Sequence, residues 1–235
     1  MAGIIQVKFF DGPILSIETS CDETSAAVLD GNSIRSNVVS SQVALHQKWG
    51  GVVPEAAARA HVESILPVVE EALLQAQIQL ESVGAIAVTN RPGLVGALSV
   101  GVTAAKALAF AFSIPLIGIH HLEGHLCSVL AERSDLPFPH MCLIVSGGHT
   151  ELVNVRELGD YEIIGHTLDD AAGEAFDKGA RLLGLGYPGG VAIQQAAMDG
   201  NPSRYPLPKG LGGETVDFSF SGLKTAMLRL VQTEG

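Results

Sequence analysis

His121 and His125 lie one helical turn apart in Ile117-Gly-Ile-His-His-Leu-Glu-Gly-His125. Residues i and i+4 share a helix face. Two imidazoles so placed are the spacing a metal ion needs from two ligands on one helix. The bland alternative is a pair of surface or capping histidines at a helix start. Further along comes Leu143-Ile-Val-Ser-Gly-Gly-His-Thr150, an apolar strand ending in a Gly-Gly turn rimmed by hydroxyls. Glycines let backbone N–H groups approach an anion, so the turn suits a phosphate. It also reads as an ordinary tight hairpin. A metal pair and a phosphate-type turn in one chain point to an enzyme acting on a nucleotide-like substrate.

Other residues add to this set. Asp22 and Glu23 follow a first apolar strand, at the carboxyl end where open sheets place their ligands. Carboxylates there hold a metal, orient a water or accept a proton, or form a solvated acidic turn. Asp169-Asp-Ala-Ala-Gly-Glu-Ala-Phe-Asp-Lys178 opens a helix with acidic residues, as the helix dipole favours. Within it Asp177 is able to hydrogen-bond a ribose hydroxyl, and Gly190 to admit an adenosine close to the backbone. The plainer reading is an amphipathic helix with a solvated face. The spacing excludes a zinc-protease helix, because Leu122 holds the place where His-Glu-x-x-His requires its Glu. No third metal ligand is obvious.

The elements that position these residues are legible. Ile14–Thr19 predicts a strand, Cys21–Thr24 a polar turn, and 25–29 with 34–39 a hairpin. Apolar residues at helical spacing predict a helix from Pro54 to about Gln79, kinked or split at Pro67. Val83–Thr89 is a strand and Leu94–Phe112 a helix of small residues. That run is long enough to span a membrane but reads better as a buried helix, and no membrane is expected. Pro115–Ile119 is a strand, and the histidine helix runs to about Arg133. A lobe boundary is placed at the Pro-containing connection, giving lobes 1–134 and 135–235. The second lobe repeats the strand–turn–strand–strand opening at 141–145, 151–155 and 161–165. Helices follow at 170–183, after Tyr187-Pro-Gly-Gly190, and after Asp217-Phe-Ser-Phe-Ser-Gly-Leu-Lys224. The second lobe reads as unfinished.

Bulk properties constrain function further. Among 235 residues, 47% are hydrophobic and 17% charged, a composition that excludes disorder. Net charge is −11 with no basic stripe. A nucleic-acid substrate would therefore be gripped largely by a partner. Three scattered cysteines argue for a reducing compartment and against a disulfide scaffold. The first ten residues lack the core of a signal peptide, and a cytoplasmic setting is expected.

Taken in order, these strings resemble one family. They are Ile17-Glu-Thr-Ser-Cys-Asp-Glu-Thr24, Gly50-Gly-Val-Val-Pro-Glu55, Pro92-Gly-Leu-Val-Gly-Ala97, His120-His-Leu-Glu-Gly-His125, Val145-Ser-Gly-Gly-His-Thr150, Asp169 to Lys178, Tyr187-Pro-Gly-Gly190 and Asp217 to Thr225. The chain resembles the TsaD (glycoprotease, O-sialoglycoprotein endopeptidase-like) family of tRNA threonylcarbamoyladenosine synthesis. The resemblance implies an α/β fold like actin, Hsp70 and sugar kinases, with two lobes around a cleft. It implies transfer of threonylcarbamoyl from threonylcarbamoyl-AMP to the exocyclic amine of the adenosine after the anticodon, in tRNAs reading codons that begin with A. By the same likeness His121 and His125 would bind iron or, second, zinc. Ile144, Val145, Ser146, Gly147, Gly148, Asp177 and Gly190 would bind the adenylate, and Asp22 and Glu23 would line the reaction site. Implied partners are tRNA, a TsaB-like paralogue and the ATPase TsaE. Two departures stand out. Arg91 replaces a glycine usual before Pro-Gly-Leu, and a later family segment carrying a Gly-Gly-Val adenosine motif and a third metal ligand does not follow Gly235. A fragment, a relative completed by another polypeptide, and an inactive relative all fit that ending. The competing class is a non-catalytic, TsaB-like scaffold subunit.

Overall fold

The computed structural model describes residues 10–133 and 135–234. The expectation about residues 1–9 lies outside them. The described residues form two compact units, one of residues 10–42 and 52–127, the other of 43–51, 128–133 and 135–234.

The first unit holds a five-stranded mixed sheet. β1 (Ile14–Glu18), β2 (Glu23–Asp30) and β3 (Ser33–Ser41) run antiparallel, and β4 (Ala85–Arg91) and β5 (Leu116–His120) join parallel, in the order β3-β2-β1-β4-β5. Alternation decides which face is buried. Leu15 pairs with Val28 and Ile86, and Ile17 with Ala26 and Val88, so these residues point to one side. All six are buried, under α2 (Pro54–Ala76) and α3 (Val95–Phe112). The opposite side carries Ser16, Glu18, Ala87 and Thr89.

α2 starts with Pro54 at its first turn, where a missing N–H costs nothing. Pro67 does not split the helix: α2 is one element of 23 residues. Val68 and Val69 are buried immediately after the proline, so packing on the sheet offsets the hydrogen bond lost there.

α3 corrects another expectation. It is not a buried helix: Ala97, Gly101, Ala105 and Ala109 form one buried stripe, while Val95 and Phe110 are 81% and 90% exposed. The small stripe brings the backbone against β1, and a Cβ on Gly101 would lie 2.3 Å from Thr19 Oγ1. By length and composition α3 is apolar enough to cross a membrane. The unit ends with α4 (His121–Ser128), which follows β5 without a loop and is shorter than expected because a 3-10 turn succeeds it at Val129–Ala131.

The second unit contains an antiparallel sheet of β6 (His140–Val145), β7 (Thr150–Glu157) and β8 (Asp160–His166). α5 (Ala172–Leu182), α6 (Gly189–Ala197) and α7 (Ser221–Glu234) follow. It also includes a short helix the sequence pattern did not predict, α1 (Val43–His46), with fully buried His46.

Candidate functional site

The direct run of β5 into α4 sets both histidines at the carboxyl end of the sheet. His121 Nε2 and His125 Nε2 lie 3.1 Å apart, with rings edge to face. His121 is half-buried and His125 exposed. The other nitrogen of His121, Nδ1, lies 3.2 Å from Ser20 Oγ and 3.3 Å from Glu18 Oε2.

Glu18 was not foreseen, since a lone Glu closing a strand carries no spacing signal of its own. Its carboxylate accepts the Ser20 N–H and the Thr89 hydroxyl. Burial alone would raise its pKa. The hydrogen bonds from His121, Ser20 and Thr89 outweigh that and hold it at about 2. Two imidazole nitrogens 3.1 Å apart are close enough to share an ion of the iron or zinc type. Among the described residues no cluster of three or more His, Cys, Asp or Glu is arranged around an ion, so the histidines supply two donors and Glu18 stands on the far side of one of them.

Asp22 lies in the turn from β1 to β2, and Glu23 opens β2. His61 of α2, also unforeseen, is fully buried beneath this turn. Its ring joins Thr24 Oγ1 at 2.7 Å and the Cys21 carbonyl at 3.0 Å. The carbonyl accepts only, so Nε2 carries a proton toward it, and Nδ1 shares a hydrogen bond with the threonine hydroxyl. The helix thus grips the acidic turn at both ends. Cys21 is exposed, yet desolvation by the packed loop and the Asp22 carboxylate push its thiol up to about 12, which removes it as a thiolate nucleophile. On the other flank, Leu94 N–H donates to Ser20 O, and a Cβ on Gly93 would lie 2.6 Å from that oxygen. Only glycine permits this approach. Arg91 ends β4 opposite His120 in the sheet register.

In the second unit, Ser146 and His149 close the turn between β6 and β7. The Ser146 N–H donates to His149 O, and the His149 N–H to Ser146 Oγ. Open space lies around the Cβ positions of Gly147 and Gly148. The Ile144 side chain is buried, while that of Val145 is exposed. The start of α5 is fastened to this turn: Gly173 N–H donates to Ser146 O, and Ala172 N–H to Thr150 Oγ1. Asp177 Oδ1 accepts the Gly189 N–H at 2.7 Å, which fixes the start of α6. A Cβ on Gly189 would strike Asp177, whereas Gly190 faces open space. Ser146, Gly147 and Gly148 thus sit in one turn, and Asp177 beside Gly190 at a helix start. The histidines with Asp22 and Glu23 belong to the other unit.

The motif aspartates have structural duties. Asp169 accepts from the hydroxyls of Ser219 and Ser221 and from the Phe220 N–H, and so caps α7. Asp170 receives both Lys178 and Lys224.

The comparisons with known proteins bear on these features together. A family model described as "TsaD: tRNA N6-adenosine threonylcarbamoyltransferase" matches residues 33–234. A protein of that description from Thermomicrobium roseum is 59% identical over 226 residues, covering 93% of this chain and 62% of the relative. One from Anaeromyxobacter dehalogenans is 56% identical over 224 residues, covering 94% and 67%. The chain therefore spans roughly two thirds of the length of these relatives. Component A of (R)-2-hydroxyglutaryl-CoA dehydratase from Acidaminococcus fermentans superposes with a TM-score of 0.54 at 12% identity, over 96% of this chain and 70% of that one. That likeness concerns the fold alone, an α/β fold of the actin-like ATPase class. On the match over residues 33–234 and the identities of these relatives, the chain belongs to the TsaD family of tRNA N6-adenosine threonylcarbamoyltransferases.

Proposed function

We propose that the chain serves transfer of a threonylcarbamoyl group from threonylcarbamoyl-AMP to the exocyclic amine of an adenosine in tRNA. One observation carries the reading: in a member of this family, His121 and His125 bring their Nε2 atoms within 3.1 Å of each other, beside a β1–β2 turn rich in carboxylates. The donor is a mixed anhydride with AMP as its leaving group, so direct attack by the amine needs no covalent enzyme intermediate. It needs orientation and neutralisation of developing charge. An iron ion, or zinc, bound by His121 and His125 would polarise a donor oxygen. Ser146, Gly147 and Gly148 would offer N–H groups to the adenylate phosphate. Asp177 and Gly190 would receive its nucleoside, Asp177 through the carboxylate that also holds α6. Asp22 and Glu23, steadied by His61, would orient the attacking amine and take its proton. A TsaB-like subunit and a TsaE-like ATPase would complete the assembly, in the cytoplasm. With a charge of −11, much of the grip on tRNA would fall to those partners.

The test is a transfer assay with these partners, threonylcarbamoyl-AMP and an A-codon tRNA, followed by mass spectrometry of the digested nucleosides. The chain should yield modified adenosine. His121→Ala should abolish it while circular dichroism stays unchanged. Full activity in that variant would overturn the reading.

A further inference from the structure

His121 presents two nitrogens to two different neighbourhoods. Nε2 faces His125, and Nδ1 faces Glu18 and Ser20. A histidine that gives one nitrogen to an ion must carry its proton on the other, and the group accepting that proton decides how the ring is aimed. The carboxylate of Glu18 is itself held from two sides. Its Oε1 accepts the Ser20 N–H, and its Oε2 the hydroxyl of Thr89 on the neighbouring strand β4. Both bonds are donated to Glu18, and an ionised carboxylate, having no hydrogen of its own, only accepts toward the ring as well. A carboxylate oxygen 3.3 Å from Nδ1 is favourable when that nitrogen bears hydrogen and repulsive when it presents its lone pair.

We propose that Glu18 is a positioning residue of the two-histidine site: it holds His121 as the Nδ1–H tautomer, so that the Nε2 lone pair is directed at a divalent cation of the iron, cobalt or zinc type. This rests on the metal reading above. Glu18 does not ligate the ion; it acts through the ring. Three elements converge to make this so. β1 supplies the carboxylate, β4 the threonine that turns it, and the β5–α4 junction the histidine. Ser20 Oγ, at 3.2 Å from the same nitrogen, is the competing partner.

The experiment uses the chain as it stands, titrated with Co2+ and followed by its visible absorption and by calorimetry. The parent chain should bind, and His121→Ala should remove the binding. Glu18→Gln should weaken it about 10- to 100-fold and shift the cobalt bands, whereas Ser20→Ala should leave affinity within about threefold. Ring 15N NMR of the ion-free chain gives a second readout. His121 should show a protonated Nδ1 in the parent and a mixture of tautomers in Glu18→Gln. Unchanged Co2+ affinity in Glu18→Gln, with His121→Ala still silent, overturns the inference and leaves the metal reading standing. An equal loss in Ser20→Ala assigns the role to the serine and overturns it too. An Nε2-protonated His121 in the parent has the same consequence. Absence of any His121-dependent binding removes the metal reading and this inference together.

Discussion

β1 and β6 open the two units in the same way, and their surroundings treat them differently. Each is followed by a polar turn and two antiparallel strands. In each, a turn serine gives its carbonyl to a backbone N–H at a helix start, Ser20 to Leu94 and Ser146 to Gly173. In each, a glycine makes the approach feasible, Gly93 and Gly173. A threonine opening the second strand fastens a helix in both, Thr24 to His61 and Thr150 to Ala172. Yet β1 continues into β4 and β5 and is roofed by α2 and α3, whereas Met141, Leu143 and Val145 of β6 are each more than half exposed. The cluster of buried apolar residues runs from Leu15 to Ile114, all in the first unit. A shared strand-and-turn geometry thus recurs in both units, and flanking layers set how much stability stands behind it.

The largest test of that contrast is a pair of truncations. Leu15→Ala empties a fully buried position between β2 and β4 and should cost about 2–5 kcal/mol, through lost burial and a residual cavity. Leu143→Ala removes a side chain already 55% exposed and should cost under about 1 kcal/mol. Denaturant melts followed by far-ultraviolet circular dichroism would read both. Comparable losses would show that the β6 face is covered in solution.

A smaller effect separates two kinds of glycine in the second turn. A Cβ on Gly173 would sit 2.7 Å from Ser146 O, backbone against backbone, so Gly173→Ala should cost about 1–3 kcal/mol. A Cβ on Gly147 meets nothing within 4 Å, so Gly147→Ala should leave stability within about 0.5 kcal/mol. It should instead weaken adenylate binding if backbone approach is what the turn offers. Trp49, the single tryptophan, belongs to the second unit and reports its unfolding. Equal melts for the two variants would show that the helix start is not fastened as described.

These features were unequally legible in the sequence. Strand alternation and helical spacing located β1, β2, β4, α2 and α3, because a buried face writes its period into the chain. His121 and His125 were legible for the same reason, being one turn apart. Glu18 and His61 were not, because their importance comes from neighbours 103 and 37 residues away. No local spacing records such contacts. Pro67 does not divide α2, because its cost is local while the packing that outweighs it lies on β2 and β3. α3 misled because composition shows how apolar a helix is, not how much of its girth finds a partner. Asp169 and Asp170 read as a helix-opening acidic pair; the structure shares Asp170 between Lys178 of α5 and Lys224 of α7 and gives Asp169 to α7.

That last assignment yields the smallest expected effect and a signed one. Asp169 is exposed, and although the little desolvation it suffers would raise its pKa, the Ser219 and Ser221 hydroxyls and the Phe220 N–H hold it well below the usual carboxylate range. A carboxyl with a depressed folded pKa contributes stability above its unfolded value, near 4, and loses it as pH falls through the folded one. Its partners here are hydroxyls and one amide at a surface helix start, so the contribution is that of a cap, about 0.5–2 kcal/mol, and solvent screens it. α7 should therefore loosen as pH drops below about 4, seen as faster amide exchange in residues 221–225. In Asp169→Asn the same exchange should already be faster at pH 7 and should lose most of its acid dependence. Lys224 complicates the picture only slightly, since its partner Asp170 is lowered by Lys178 as well as by Lys224 and titrates in the same direction. If Asp169→Asn exchanges like the parent at every pH, α7 is held by the Asp170 ion pairs alone, and the first aspartate of the motif is free for another role.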